Sequence, residues 1–140
     1  MARILVIDDA EHIRIVLSKH LLRAGHTVDT AENGDEGLKL FGLNHYDLVI
    51  TDVVMPEKDG FEVIMALKQM LSSVRIIVMS GGAARLDTQY LLKTAKTMGA
   101  DRILPKPLNF LKLQIVVKEV LEGVHEHFAY PVVGDCYEEQ

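Results

Sequence analysis

The sequence predicts an α/β domain with a doubly wound, five-stranded parallel sheet in the order 2-1-3-4-5 and helices on both faces. Short apolar runs alternate with longer helical stretches five times along the chain. The runs are continuous rather than alternating, as in strands that are covered on both faces of a parallel sheet. They span residues 3–7, 47–51, 75–79 and 101–104, and the second run, at 26–30, is weaker because it is mostly polar.

The stretches between these runs have helical periodicity and recognisable boundary residues. Polar caps or capping boxes are predicted at Asn33 with Glu36, Asp59 with Glu62, and Asn109. Glycine is predicted to end the first and fourth helices, at Gly25 and Gly99. The third helix is expected to bury Phe61, Ile64, Leu67 and Leu71, and the fifth Leu113, Val116, Val117, Val120 and Leu121.

Composition limits the class of protein. The 140 residues suit one domain, and the single cysteine, Cys136, excludes a disulfide framework. The formal net charge of −5 argues against a direct nucleic-acid partner, and no apolar run is long enough to span a membrane. We expect a cytoplasmic protein with a domain at 1–124 and a C-terminal tail at 125–140, without an output domain.

Polar residues of particular types end four of the five runs. Asp8 and Asp9 follow the first, Asp52 the third, Ser80 the fourth and Lys106 the fifth. Because the carboxyl ends of parallel strands share one edge of the sheet, these side chains are expected to lie close together. Three neighbouring carboxylates repel one another unless a cation is present or one of them is protonated, and Mg²⁺ prefers such oxygen ligands.

This combination of residues suits phosphoryl transfer, in which positioning and neutralisation of charge supply most of the catalysis. An ionised carboxylate can act as nucleophile, Lys106 can hold phosphoryl oxygens, and Ser80 can donate a hydrogen bond. Each residue alone has a simpler explanation: Asp9 as a helix cap, Asp52 and Ser80 as turn residues, Lys106 as a solvated charge. The occurrence of all five residues at the strand ends is what favours a role in phosphoryl transfer.

Four motifs carry a resemblance to the receiver domains of two-component response regulators, over residues 2–122. They are Ile-Leu-Val-Ile-Asp-Asp at 4–9, Thr-Asp-Val-Val-Met-Pro-Glu-Lys-Asp-Gly at 51–60, Gly-Ala-Asp at 99–101, and Lys-Pro at 106–107. The resemblance implies a flavodoxin-like (βα)5 fold and a signalling switch of bacterial type. It also implies a cis peptide bond between Lys106 and Pro107.

The resemblance assigns a role to each site residue. Asp52 is implied to accept a phosphoryl group from a phosphohistidine on a sensor histidine kinase or histidine phosphotransferase. Asp9, Asp52 and the backbone carbonyl of Val54 are implied to bind Mg²⁺, with Asp8 acting through a metal-bound water.

The remaining implied roles concern the phosphoryl group and its effect on the fold. Lys106 is implied to pair with the phosphoryl oxygens, and Ser80 to move toward them. That movement changes the face of the fourth helix, fifth strand and fifth helix, which regulates a protein target. We expect a monomer or weak dimer, with no enzymatic activity beyond its own phosphoryl transfer and dephosphorylation.

The sequence departs from the family at several positions. Ile103 stands where the family usually has Tyr or Phe, so aromatic gating of the output face is not expected. Val54 and Gly82 offer no side chain to orient an attacking water, which predicts a phosphoryl group that is not unusually short-lived. Gly81 and Gly82 together make the loop after the fourth strand conformationally free.

Other functions remain as alternatives. The chain could be a stand-alone receiver or a fragment of a larger regulator; its aromatic, acidic tail favours the former. A Mg²⁺-dependent phosphatase of the haloacid dehalogenase type also uses an Asp after a strand. Such enzymes have an Asp-x-Asp arrangement at the first strand, whereas Asp8 and Asp9 are adjacent in this chain. A flavodoxin-like flavin binder would need a Ser/Thr-rich loop after the first strand, which is not present.

Overall fold

The computed structural model describes residues 1–53, 60–80 and 88–123, without the side chains of residues 88–92. Five strands form one parallel sheet in the predicted order, β2-β1-β3-β4-β5. The strands are β1 (Arg3–Ile7), β2 (Thr27–Ala31), β3 (Leu48–Asp52), β4 (Ile76–Ser80) and β5 (Arg102–Pro105). The helices are α1 (Glu11–Arg23), α2 (Gly34–Leu43), α3 (Gly60–Met70), α4 (Thr88–Met98) and α5 (Phe110–Leu121).

The continuous apolar runs are explained by two cores, one on each face of the sheet. Leu5 and Ile7 point into a core shared with α2, α3 and α4, whereas Ile4 and Val6 point into one shared with α1 and α5. Because successive side chains of a strand alternate between faces, a strand covered on both sides must be apolar at every position. The predicted doubly wound architecture is confirmed.

Four strands begin and end one residue later than predicted, and only β1 has the predicted bounds. The ladder continues past the last apolar residue, since Val53 N–H donates to the Met79 carbonyl (3.1 Å) and Lys106 N–H to that of Ser80 (3.0 Å). Asp52 and Ser80 are therefore the last residues of their strands rather than loop residues. Their backbone is fixed by the sheet, which restricts where their side chains can lie.

The predicted helix ends are largely confirmed. The side chains of Asn33 and Asn109 each accept a hydrogen bond from the backbone N–H three residues later, at 2.8 Å and 3.0 Å. The carboxylate of Glu36 accepts from the residue before Asn33, so the capping box is displaced by one residue. Gly25 and Gly99 adopt positive φ, +96° and +103°, as glycine stops do.

The predicted core face of α3 is partly wrong. Leu71 lies beyond the end of the helix and is 41% exposed, and Phe61 is half-buried. Val63 is fully buried with Ile64 and Leu67. Since α3 ends at Met70, Leu71 no longer follows the helical spacing that placed it on this face.

Gly37 in α2 provides the close approach of this helix to the sheet. A Cβ at Gly37 would lie 2.4 Å from Cδ1 of Ile7, a fully buried β1 residue. We expect Gly37→Ala to lower the free energy of unfolding by about 1–3 kcal/mol, although alanine favours helix, because the core must shift. Urea denaturation checks this. Ile7→Val in the same chain should recover part of the loss, and a Gly37→Ala variant as stable as wild type would contradict the packing.

Candidate functional site

The carboxyl ends of β1, β3, β4 and β5 meet at one edge of the sheet, and the predicted site residues lie there. Asp8 directly follows β1 and continues its ladder, since its N–H donates to the Ala31 carbonyl at 3.1 Å. Asp52 ends β3, Ser80 ends β4, and Lys106 directly follows β5. Ser80 is half-buried beside Met79, which pairs with Asp52 across the ladder.

Lys106 connects the two buried carboxylates. Its Nζ lies 2.9 Å from an oxygen of Asp8 and 2.9 Å from an oxygen of Asp52. The side chains of Asp8 and Asp52 are 0% and 5% exposed, and that of Lys106 is 17% exposed. Burial lowers the pKa of Lys106, but hydrogen bonds and charge from Asp52 and Asp8 raise it by more, so this pKa lies above its ordinary value. Lys106 is therefore held as a cation.

Asp9 completes a set of three carboxylates. Oxygen atoms of Asp8, Asp9 and Asp52, one from each, lie within 4.8 Å of one another. Asp9 is exposed, whereas the other two are buried, so one side of the cluster faces solvent. Hard oxygen ligands with an open side suit Mg²⁺, which keeps several of its waters. The residues present therefore fit this cation.

The loop between β1 and α1 does not use Asp9 as a helix cap. The N-cap of α1 is Ala10, which makes no side-chain cap hydrogen bond. The carboxylate of Asp8 instead accepts from Ala10 N–H at 2.8 Å, and the Asp8 carbonyl accepts from the Arg14 guanidinium at 2.8 Å. The simpler explanation of Asp9 as a cap is thus wrong for this fold.

Gly60, the first residue of α3, lies against the backbone of the candidate nucleophile. A Cβ at this position would lie 2.3 Å from the Asp52 carbonyl oxygen and 2.7 Å from the Cα of Val53. Gly60 N–H donates to the Val53 carbonyl at 2.6 Å. Only glycine lets α3 begin this close to the end of β3.

Several predictions lie outside the described residues. These are the Val54 carbonyl, the remainder of the 54–59 segment with its Asp59 cap, the Gly81–Gly82 loop, and the tail from 124 onward with Cys136. The cis peptide bond between Lys106 and Pro107 is confirmed. Ile103 pairs with Val78 in the β4–β5 ladder and packs, partly buried, against the core shared with α2, α3 and α4.

Sequence reasoning missed two contacts at this site. It treated Lys106 as a ligand for phosphate and did not foresee that it would join Asp8 to Asp52. It also gave no role to Arg14, a single cation on the first helix with no motif around it. The Lys106 contacts join residues 98 and 54 positions apart, so local pattern carries no signal for them.

The sequence of this chain matches proteins of a known family. The family model of the response regulator receiver domain matches residues 4–118. The DNA-binding transcriptional regulator NtrC of Azospirillum brasilense is 37% identical over 139 residues, which is 99% of this chain and 28% of that protein. The alkaline phosphatase synthesis regulator PhoP of Bacillus subtilis is 34% identical over 119 residues, 85% of this chain and 48% of PhoP. This chain spans half or less of these relatives.

Solved structures agree with the sequence comparison. Chemotaxis protein CheY4 of Vibrio cholerae is 30% identical with a TM-score of 0.78, and the match covers 86% of this chain and 98% of CheY4. Response regulator TrrA of Thermotoga maritima, in complex with Mg²⁺ and BeF, is 37% identical with a TM-score of 0.75, covering 86% and 99%.

Among the described residues, no helix combines the length and apolarity needed to cross a membrane. Receiver domains are signalling proteins rather than classical enzymes, and they bind Mg²⁺ at an acidic pocket and interact with histidine kinases or phosphotransferases. The fold, the strand-end carboxylates and the match over residues 4–118 agree, and the chain belongs to the response regulator receiver domains, the phosphoryl-accepting switches of two-component signalling.

Proposed function

We propose that Asp52 of this chain accepts a phosphoryl group from a phosphohistidine on a sensor histidine kinase or histidine phosphotransferase. The observation that carries the proposal is the contact of a buried Asp52 carboxylate with Lys106 Nζ, at 2.9 Å, inside the cluster of three carboxylates. A carboxylate that is already ionised needs no general base to attack phosphorus.

The transfer uses residues that are already in place. An oxygen of Asp52 forms a bond to phosphorus while the bond from phosphorus to the histidine nitrogen breaks. The electron pair of the broken bond returns to the imidazole, which takes up a proton, and an acyl phosphate remains on Asp52. The ammonium group of Lys106, held as a cation beside Asp52, stabilises the charge on the phosphoryl oxygens. Ser80, at the end of the neighbouring strand, is the hydroxyl donor in this proposal.

Mg²⁺ would be held by Asp9 and Asp52, with Asp8 acting through a bound water and the Val54 carbonyl as a further ligand. When bound, the cation neutralises charge on the carboxylates and on the phosphoryl group. The structural support is the proximity of the three carboxylates, with Asp9 on the solvent side. Asp52, which is 4% exposed, is shielded from bulk water at the same time.

The acyl phosphate would act as a switch rather than as an intermediate of substrate turnover. Its hydrolysis by water at the same site would return the domain to its starting state. The change would reach the face of α4, β5 and α5, where a protein target would bind. The related NtrC is a DNA-binding regulator by name, and this chain matches 28% of its length; direct contact of this chain with nucleic acid is not part of the proposal.

We propose a receiver at 1–124 followed by a tail at 125–140, and a stand-alone organisation remains a prediction. The length of the native gene product decides between a stand-alone receiver and a piece of a longer regulator.

Intact mass after incubation with acetyl phosphate tests the phosphoacceptor. We expect one phosphoryl adduct that requires Mg²⁺ and that disappears in Asp52→Asn, because the amide is not a nucleophile toward phosphorus. Asp35→Asn, a change at an exposed carboxylate in the first turn of α2, is the matched control and should keep the adduct.

An adduct that persists in Asp52→Asn would show that another residue carries the phosphoryl group. No adduct with acetyl phosphate or with a purified histidine phosphotransferase would contradict the proposal. Repeated turnover of a phosphate monoester would instead favour the phosphatase alternative.

A further inference from the structure

Arg14 ties the start of α1 back to the end of β1. Its guanidinium donates to the Asp8 carbonyl at 2.8 Å and thereby spans the short segment that contains Asp9. Side chains in a helix point toward its N-terminus, so an arginine in the first turns of α1 can reach the residue that precedes the loop. The side chain is half-buried, as expected for a fixed contact.

The Asp9 carboxylate could instead cap the N-terminus of α1, but it does not do so in the structure. Aspartate is among the most favoured residues at a helix N-terminus, where its carboxylate accepts from the first free N–H groups. The N-cap of α1 is Ala10, and within residues 1–53, 60–80 and 88–123 it makes no side-chain cap hydrogen bond to those groups. Asp9 forms no hydrogen bond or ion pair with any other part of residues 1–53, 60–80 and 88–123 and lies instead in the carboxylate cluster.

Whether the Asp9 carboxylate lies in the carboxylate cluster or caps the helix depends on the residue at which α1 begins. If Asp9 capped the helix, α1 would begin at Ala10, and the backbone of Asp8 and Asp9 would have to rotate. The Asp8 carbonyl would then lose its bond to Arg14, and the Asp8 carboxylate would lose its bond to Ala10 N–H. The contact between Arg14 and Asp8 therefore opposes the capping conformation.

We propose that Arg14 is a positioning residue for the cation site: by holding the Asp8 carbonyl, it keeps the Asp9 carboxylate beside Asp8 and Asp52 rather than on the N-terminus of α1. The inference rests on the proposed function, because it concerns the affinity of the same site for Mg²⁺. Arg14 does not touch the cation in this proposal and acts only through Asp9.

The direction in which Mg²⁺ affinity changes on loss of Arg14 distinguishes a positioning role from a simple effect of charge. A nearby positive charge repels a cation, so loss of the Arg14 charge alone would strengthen Mg²⁺ binding. If Arg14 positions Asp9, the loss of the Arg14 side chain weakens Mg²⁺ binding even though a repulsive positive charge is removed. Residues that orient metal ligands typically change affinity by tenfold or more when they are mutated.

The test is the affinity for Mg²⁺, measured by calorimetric titration and by the rise of Tm with added Mg²⁺. We expect Arg14→Gln to weaken Mg²⁺ binding about tenfold while its Tm without Mg²⁺ stays close to that of wild type. Arg14→Lys, which can still donate one hydrogen bond, should recover part of the affinity. Arg23→Gln, which removes the same charge from an exposed position in the last turn of α1, should leave it unchanged.

A double-mutant cycle shows whether Arg14 acts through Asp9. In an Asp9→Asn background, Arg14→Gln should not weaken the affinity for Mg²⁺ any further, and only the small gain from the removed positive charge should remain. Unchanged or tighter binding in Arg14→Gln alone, or a full effect in the Asp9→Asn background, would overturn the positioning role and leave the proposed function intact. A wild-type protein that binds no Mg²⁺ would overturn the cation part of both proposals.

Discussion

Lys106→Met is expected to lower the free energy of unfolding by about 3 kcal/mol in the absence of Mg²⁺, the usual loss when one partner of a buried ion pair is removed. The side chains of Asp8 and Asp52 are 0% and 5% exposed, and both contact Lys106 Nζ at 2.9 Å. Without the ammonium group, two buried carboxylates lose the positive charge that lies between them. Urea denaturation at neutral pH measures the loss.

Lys39→Met is the matched control for this substitution. Lys39 lies on an exposed position of α2, so its removal should change stability little. A second substitution identifies the cause: Asp8→Asn added to Lys106→Met should recover much of the stability, because it removes one of the two buried negative charges that Lys106 contacts. An equal loss in the Lys39 and Lys106 variants would show that the buried pair does not stabilise the fold.

The same contact predicts a pH dependence in the alkaline range. The pKa of Lys106 in the folded protein lies above 10.5, its value in the unfolded chain, so folding favours the protonated amine. The stabilisation is therefore fully present below pH 10.5 and is lost as the pH rises through the folded-state pKa. The difference in unfolding free energy between wild type and Lys106→Met should be constant near neutral pH and should shrink as the pH rises through the folded-state pKa of Lys106.

Gly60→Ala is expected to lower the free energy of unfolding by about 3 kcal/mol, at the upper end of the usual cost of overpacking. The added Cβ would lie 2.3 Å from the Asp52 carbonyl oxygen, and a backbone atom at the end of a central strand cannot move aside as a side chain can. Relief requires a shift of α3 or of the Asp52 backbone. We therefore expect slower formation of the acetyl phosphate adduct as well, measured by intact mass.

Gly42→Ala provides the control for a glycine in a helix. Its Cβ would lie 3.3 Å from the terminal methyl group of Met70, a flexible side chain that is 48% exposed. This substitution should be neutral or slightly stabilising, because alanine favours helix over glycine. Equal stability of the Gly42 and Gly60 variants would contradict the tight packing of α3 against Asp52.

The sequence by itself determined the architecture and most of the site. Strands buried on both faces must be apolar at every position, so they appear as continuous runs, and the residues that end them are easily recognised. Parallel strands place their carboxyl ends at one edge, which brings Asp8, Asp9, Asp52 and Lys106 together without knowledge of any distance. Strand bounds were one residue early in four strands, because backbone hydrogen bonds continue past the last apolar side chain.

Only the tertiary structure decided how these groups are arranged. Asp8 is buried and its neighbour Asp9 is exposed, a difference that two adjacent aspartates do not reveal in the sequence. The position of Lys106 between Asp8 and Asp52 depends on the approach of β1, β3 and the end of β5, elements far apart along the chain. The closeness of Gly60 to Asp52 likewise depends on how α3 packs. Such contacts arise from strand register and helix packing, which the whole fold sets and no short stretch of sequence specifies.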